Sequence, residues 1–156
     1  MPDLSLKDKV AIVTGGSGDI GGAIARKLAE QGATTIATFV GNEKAAAELV
    51  QSIQNKGGFA RAVQLDQRSP ESVNLLMENV RKTEGSLDIL INNAAWNIGI
   101  PFPQLDALTP EIWDRVLETN VRGPFLLARA GETMLKSGLG GHIVNISSAG
   151  GISPGS

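Results

Sequence analysis

Five short runs of almost wholly apolar residues recur along the chain, each separated from the next by a stretch of helical periodicity. A run of that kind suits a strand covered on both faces. Strands separated by helices pair in parallel through right-handed crossovers, so the alternation predicts an α/β fold built on one parallel sheet. The strands are expected at Val10–Val13, Thr34–Phe39, Phe59–Leu65, Leu87–Asn92 and His142–Ser147. The first helix is expected over Ile20–Gln31, with Ile24 and Leu28 on one face, and the second over Glu43–Lys56, with Leu49, Val50 and Ile53 inward. The third opens at Ser69 as N-cap with Pro70 in the first turn and runs to about Glu84. A long helix opens in the same way at Thr109-Pro110, and Ala95–Leu108 reads as a loop leaving the carboxyl end of the fourth strand. Open α/β sheets bind ligands at that edge.

Composition narrows the chemistry. The 156 residues fit one domain spanning 1–156. A net charge of −2, from 14 basic and 16 acidic residues, argues against nucleic-acid binding, which needs a basic surface. There is no cysteine and one histidine, so no metal site is expected. No apolar run is long enough for a bilayer and the amino terminus is polar, so a soluble cytoplasmic protein is the expectation.

Thr14-Gly15-Gly16-Ser17-Gly18-Asp19-Ile20-Gly21 lies between the first strand and the first helix. Glycines there let the backbone approach a pyrophosphate, and the helix amino terminus offers free N–H groups and the positive end of a dipole. A glycine-rich turn alone could be an ordinary βα connection; its placement between strand and helix favours dinucleotide binding. Asp19 is expected to act as N-cap, with its carboxylate turned from the phosphates.

The spacing resembles the TGxxxGxG turn of the short-chain dehydrogenase/reductase family, with Asp19 where that family usually has a glycine. Four further motifs carry the resemblance along the chain: Asp66 with Gln67 after the third strand, Asn92-Asn93-Ala94-Ala95 similar to NNAG, Asn120 ahead of Pro124, and the Ser147-Ser148 pair before Gly150-Gly151. The resemblance implies a Rossmann-type doubly wound parallel sheet, truncated after the fifth strand, that binds NAD(P). Gly15, Ser17, Gly18, Asp19, Ile20, Gly21, Phe39, Asp66, Gln67, Asn93, Ala94 and Ala95 would be its cofactor-binding residues. Asp66 would accept a hydrogen bond from the adenine amino group. Ser148 and Asn120 would be catalytic, with Ser147 supporting. The expected reaction is hydride transfer between the cofactor and a carbonyl or secondary alcohol; a non-catalytic dinucleotide-binding module is the alternative.

Pro124 has no N–H for the Asn120 carbonyl, so a kink is expected there, and the family uses that carbonyl to hold a water in a proton relay. The absence of an acid at Phe39-Val40-Gly41-Asn42 leans the cofactor towards NADP, because an acid there would repel a 2′-phosphate. The long helix after Pro110 carries Trp113, Val116, Leu117, Phe125 and Leu126 at helical spacing, which the resemblance makes a homo-oligomer interface as well as core. Trp96 follows the NNAG-like stretch, where wall and loop-packing roles are both open. His142 opens its strand, and at about 3.3 Å per residue lies roughly 20 Å from Ser148, too far to act there. The chain has no tyrosine and stops at Ser156, before the family's YxxxK motif. It is therefore expected to lack the catalytic and substrate-binding segment, to be inactive alone, and to leave its fifth strand as an exposed apolar edge.

Overall fold

The computed structural model describes residues 5–137 and 140–151; residues 1–4 of the polar amino terminus and residues 152–156 lie outside the described residues. The elements in chain order are β1 (Val10–Val13), α1 (Asp19–Glu30), β2 (Thr34–Phe39), α2 (Glu43–Gln54), β3 (Phe59–Gln64), α3 (Pro70–Thr83), β4 (Ile89–Asn92), α4 (Pro110–Leu117), α5 (Gly123–Leu135) and β5 (His142–Asn145). The five strands form one sheet in the order β3-β2-β1-β4-β5, parallel at every pairing. This is the expected Rossmann-like α/β architecture. The chain steps outward from β1 to β3, then crosses back to place β4 on the other side of β1. That reversal opens a crevice at the carboxyl ends of β1 and β4.

Alternation along β1 shows how the sequence builds two cores. Val10 and Ile12 point to one face and pack with Leu76, Val80, Leu90 and Leu127 beneath α3 and α5. Ala11 and Val13 point to the other and pack with Ala25, Ala29, Ala37, Leu49 and Ile53 beneath α1 and α2. The second face is lined mainly by alanine, so α1 lies close to the sheet. It buries Gly21, Gly22, Ala25 and Ala29, while Ile24 and Leu28 are only half-buried at the margin. In α2 the inward residues are Ala46, Leu49 and Ile53; Val50 is half-buried rather than facing the core. Small residues therefore carry the close approach, and the larger aliphatics seal its rim.

Full burial on both faces holds for β1, nearly all of β2, and β4. The outer strands differ. β3 carries Arg61, whose Nε and Nη2 each donate to the Glu84 carboxylate at 2.7 Å. β5 is exposed along its length and pairs only with β4 among the described residues. Several expected boundaries shorten: the third strand by one residue, the fourth by two at its start, the fifth by two at its end, and the second helix by two. The loop after β4 includes a 3₁₀ segment, Phe102–Ala107. Ser69 caps α3 by accepting from the Ser72 N–H, and Thr109 caps α4 by accepting from the Ile112 N–H. Among the described residues no helix is long and apolar enough to cross a membrane.

Candidate dinucleotide cleft

Thr14 follows β1 fully buried, and its hydroxyl organises the crevice. Oγ1 accepts the N–H groups of Asn93 at 3.0 Å and Ala94 at 2.9 Å, and donates to the Ile91 carbonyl at 3.4 Å. Asn93 returns the contact, its Nδ2 donating to the Thr14 carbonyl at 2.9 Å. The turn after β1 and the segment after β4 are thus stitched together across the reversal of strand order.

Three glycines of the turn, Gly15, Gly16 and Gly21, leave no room for a side chain. Gly15 has φ +67, a left-handed conformation that favours glycine. A Cβ on Gly21 would lie 2.3 Å from the Gly15 carbonyl oxygen, and one on Gly16 2.6 Å from the Ala37 Cβ. Gly18, in an extended conformation, is the N-cap of α1, and no side chain caps the helix. Asp19 is therefore the first helical residue and not the cap expected from sequence. A cap needs non-helical backbone, and Gly18 adopts it one residue earlier. Asp19 still complements the helix dipole, while the first-turn N–H groups have no side-chain acceptor.

These pieces enclose a cleft of about 670 Å³, within the range of small-molecule sites. Every residue expected to contact a cofactor lines it: Gly15, Ser17, Gly18, Asp19, Ile20 and Gly21 from the turn, Phe39 from β2, Asp66 and Gln67 after β3, and Asn93, Ala94 and Ala95 after β4. Asp66 is held by Arg68, whose Nε and Nη2 donate to its two oxygens at 3.0 and 2.8 Å. That bonding to Arg68 keeps the carboxyl below its usual range against the opposing effect of burial, so Asp66 is an acceptor at neutral pH. Gln67 is buried, and its Nε2 donates to the Ala94 carbonyl at 3.0 Å and the Thr119 carbonyl at 2.7 Å. Its side-chain amino group is thus committed to joining the segments after β3 and β4 to the turn that follows α4.

Asn120 and Ser148 lie elsewhere. Asn120 sits in a π-turn, Glu118–Arg122, where the Gly123 N–H reaches back to the Glu118 carbonyl. The wide turn falls where Pro124 breaks the α-helical ladder, and it separates α4 from α5. The Asn120 side chain holds the backbone of Trp96 at both ends, accepting its N–H at 2.8 Å and donating to its carbonyl at 2.9 Å. With Asn92, Ala95 and Asn145 it lines an adjoining cavity of about 580 Å³. Ser148 follows β5 and its Oγ accepts the Gly150 N–H at 3.2 Å; it lines neither cavity. His142 opens β5, at the opposite end of the strand.

Among the lining residues that sequence reasoning missed are Arg68 and Arg115, and Trp96 was left undecided. The Arg115 guanidinium lies 4.1 Å from the centroid of the Trp96 ring, and both line the cleft. Asp66-x-Arg68 was readable as a local ion pair, but nothing in sequence brings residue 115 to residue 96. Among the described residues no group of three potential ligands could hold a metal ion.

Comparison with known proteins agrees with this fold. A short-chain type dehydrogenase/reductase of Picea abies is 37% identical over 150 residues, covering 92% of this chain and 55% of its own length. A short chain dehydrogenase from Burkholderia cenocepacia J2315, solved in complex with NADP, superposes with a TM-score of 0.88 at 35% identity, covering 97% of this chain and 60% of that one. A 7α-hydroxysteroid dehydrogenase complexed with NADH and 7-oxo glycochenodeoxycholic acid superposes with a TM-score of 0.88 at 31% identity, covering 97% and 57% respectively. The chain thus spans about half the length of the curated relatives it matches. Residues 9–156 match the short chain dehydrogenase family, and the chain belongs to it.

Proposed function

We propose that this chain is the dinucleotide-binding part of an oxidoreductase that moves hydride between NAD(P)(H) and a carbonyl or secondary alcohol. The observation that carries the reading is the uncapped start of α1, facing a cleft whose Gly15 and Gly21 exclude any side chain. Bare N–H groups, a positive dipole end and close backbone approach suit a pyrophosphate. The Asp66 carboxylate accepts the adenine amino group, Phe39 borders the adenosine ribose, and Asn93, Ala94 and Ala95 bed the nicotinamide ribose. When bound, the dinucleotide supplies or takes up hydride. Ser148 orients the substrate oxygen, and the Asn120 carbonyl holds a water on the path of the proton. Residues 1–156 form the NAD(P)-binding domain of that enzyme.

The same proposal leans towards NADP. The end of β2 presents Phe39, Val40, Gly41 and Asn42 to the cleft, and the first acid, Glu43, is already in α2. The Burkholderia relative, solved with NADP, supports the lean, while the hydroxysteroid dehydrogenase was solved with NADH. Exposed Trp113, Leu117, Val121 and Phe125 form an apolar stripe that we assign to contact with a second copy of the chain. A cytoplasmic location belongs to the same proposal, and cell fractionation checks it. With no tyrosine in the sequence, the chain by itself is expected to bind dinucleotide without turning over substrate. The test is NAD(P)H oxidation with a panel of ketones, comparing this chain with a complete form carrying the YxxxK motif. Turnover by the complete form alone, faster with NADPH, supports the proposal. Equal turnover by this chain refutes the proton-donor argument, and a tenfold preference for NADH refutes the cofactor lean.

A further inference from the structure

Three arginines, Arg68, Arg115 and Arg122, lie close to the Asp66 side of the cleft, and they are held differently. Arg68 pairs with Asp66, and Arg122 pairs with Glu118 at 2.9 Å while donating to the Arg68 carbonyl. Arg115 has no carboxylate partner among the described residues. Its guanidinium instead lies over the Trp96 ring. A planar cation laid on an indole is attracted by the ring quadrupole, and the contact strengthens as water is excluded. The platform is held in place: Asn120 fixes the Trp96 backbone through two hydrogen bonds, and Arg115 projects from α4, whose start is capped by Thr109.

We propose that the Arg115–Trp96 pair is the surface against which the adenine ring of a bound dinucleotide stacks, making Arg115 a determinant of affinity for the adenylate half. The inference rests on the dinucleotide reading given above. Its independent support is chemical. Arg115 and Trp96 line the same cleft as Asp66, an acceptor for an exocyclic amino group. A purine offers a flat π-face together with such an amino group, so one ring can use both features. Stacking on an aromatic or guanidinium plane is indifferent to a 2′-phosphate, and this separates the idea from simple charge attraction.

The experiment is calorimetric titration of the purified chain with NAD, NADP, ADP-ribose and nicotinamide mononucleotide, repeated for Arg115→Ala and Arg115→Lys. Arg115 is exposed, and matching circular dichroism and melting curves establish that the variants fold. Arg115→Ala is expected to weaken NAD, NADP and ADP-ribose alike, by about 3- to 20-fold, the size of a partly desolvated cation–π contact. Nicotinamide mononucleotide affinity stays unchanged, and Arg115→Lys follows the alanine variant because it restores charge without the plane. Unchanged affinity for NAD and ADP-ribose overturns the inference. So does a loss confined to NADP, which would make Arg115 a phosphate contact, or an equal loss for the mononucleotide. Failure of the unaltered chain to bind any dinucleotide refutes the underlying reading instead, before any variant is compared.

Discussion

Thr14→Val should loosen the cleft and destabilise the fold far more than its small change in shape suggests. Valine keeps the volume and branching of threonine but deletes an oxygen that accepts two N–H groups, those of Asn93 and Ala94. Thr14 is fully buried, so no water replaces the lost acceptor at its own position. Each N–H left unsatisfied costs about 1–3 kcal/mol, and because these two are only partly buried the lower half applies, about 2–4 kcal/mol together. That is a large share of the roughly 5–15 kcal/mol that holds a domain folded. Thr14→Ser keeps the acceptor and loses one buried methyl, a cost of about 1 kcal/mol. Urea unfolding separates them: with a slope of about 2 kcal/mol per molar, the valine variant shifts the midpoint by about 1–2 M and the serine variant by about 0.5 M. Dinucleotide affinity should fall with the valine variant as well, since Asn93 and Ala94 line the cleft. A valine variant as stable as the serine variant would refute the assignment of Thr14 as the clamp between β1 and β4.

Gly21→Ala should cost about 1–3 kcal/mol and abolish tight dinucleotide binding, because its Cβ meets the Gly15 carbonyl, a backbone atom that cannot turn aside. Gly22→Ala, whose nearest neighbours are the end of the Arg26 side chain and the Gly16 carbonyl at 3.3 Å, should melt within a few degrees of the unaltered chain; melting curves compare the two. Stability should be flat from pH 7 to about 5 and fall below about 4. Burial pushes the Asp88 carboxyl up, but the Lys9 ammonium at 2.8 Å and the Val10 N–H at 2.9 Å outweigh it, and Asp66 is lowered by Arg68. A carboxyl whose pKa is lowered on folding stabilises above its unfolded value of about 3.9, and that stability is lost as pH falls through the folded value. Asp88→Asn should therefore be less stable at pH 7 and show a shallower acid limb, read from melts across pH. In a complete form of the enzyme, Ser148→Ala should lower turnover by about 10²–10³-fold and Ser147→Ala far less; equal rates would reverse the choice between the adjacent serines.

The order of strands and helices was legible because each apolar run is short, bounded by turn residues, and separated by a helix long enough to cross the sheet. That these residues share one cleft was legible for a related reason: Gly15–Gly21, Asp66 and Asn93–Ala95 all follow strands, and a parallel sheet brings its strand ends to one edge. The start of α1 was not legible to the residue, because a cap is decided by backbone angles, and both Gly18 and Asp19 are acceptable caps by type. Nor could sequence show that Gln67 is buried and committed to the Ala94 and Thr119 carbonyls, since a polar side chain after a strand reads equally as ligand contact or as tether. The inward face of α2 was legible at Leu49 and Ile53 but not at Val50, because periodicity favours large residues whereas close packing buries the small Ala46 and leaves Val50 half-buried. The Arg115–Trp96 contact joins a loop to a helix nearly twenty positions away, and only folding reveals it.

Amide chemical-shift mapping of the isotopically labelled chain during titration with NADP addresses the central claim most directly, because it reports both whether a dinucleotide binds and where. Saturable binding is predicted, with the largest shifts at the amides of Gly15 to Gly21, at Asp66 to Arg68 and at Asn93 to Trp96, along the carboxyl edge of the sheet. Absence of binding by the folded chain would contradict the account. So would shifts centred instead on Lys7, Lys56 and Phe59, which line a separate cavity of about 440 Å³ on the far side of the sheet from the carboxyl edge.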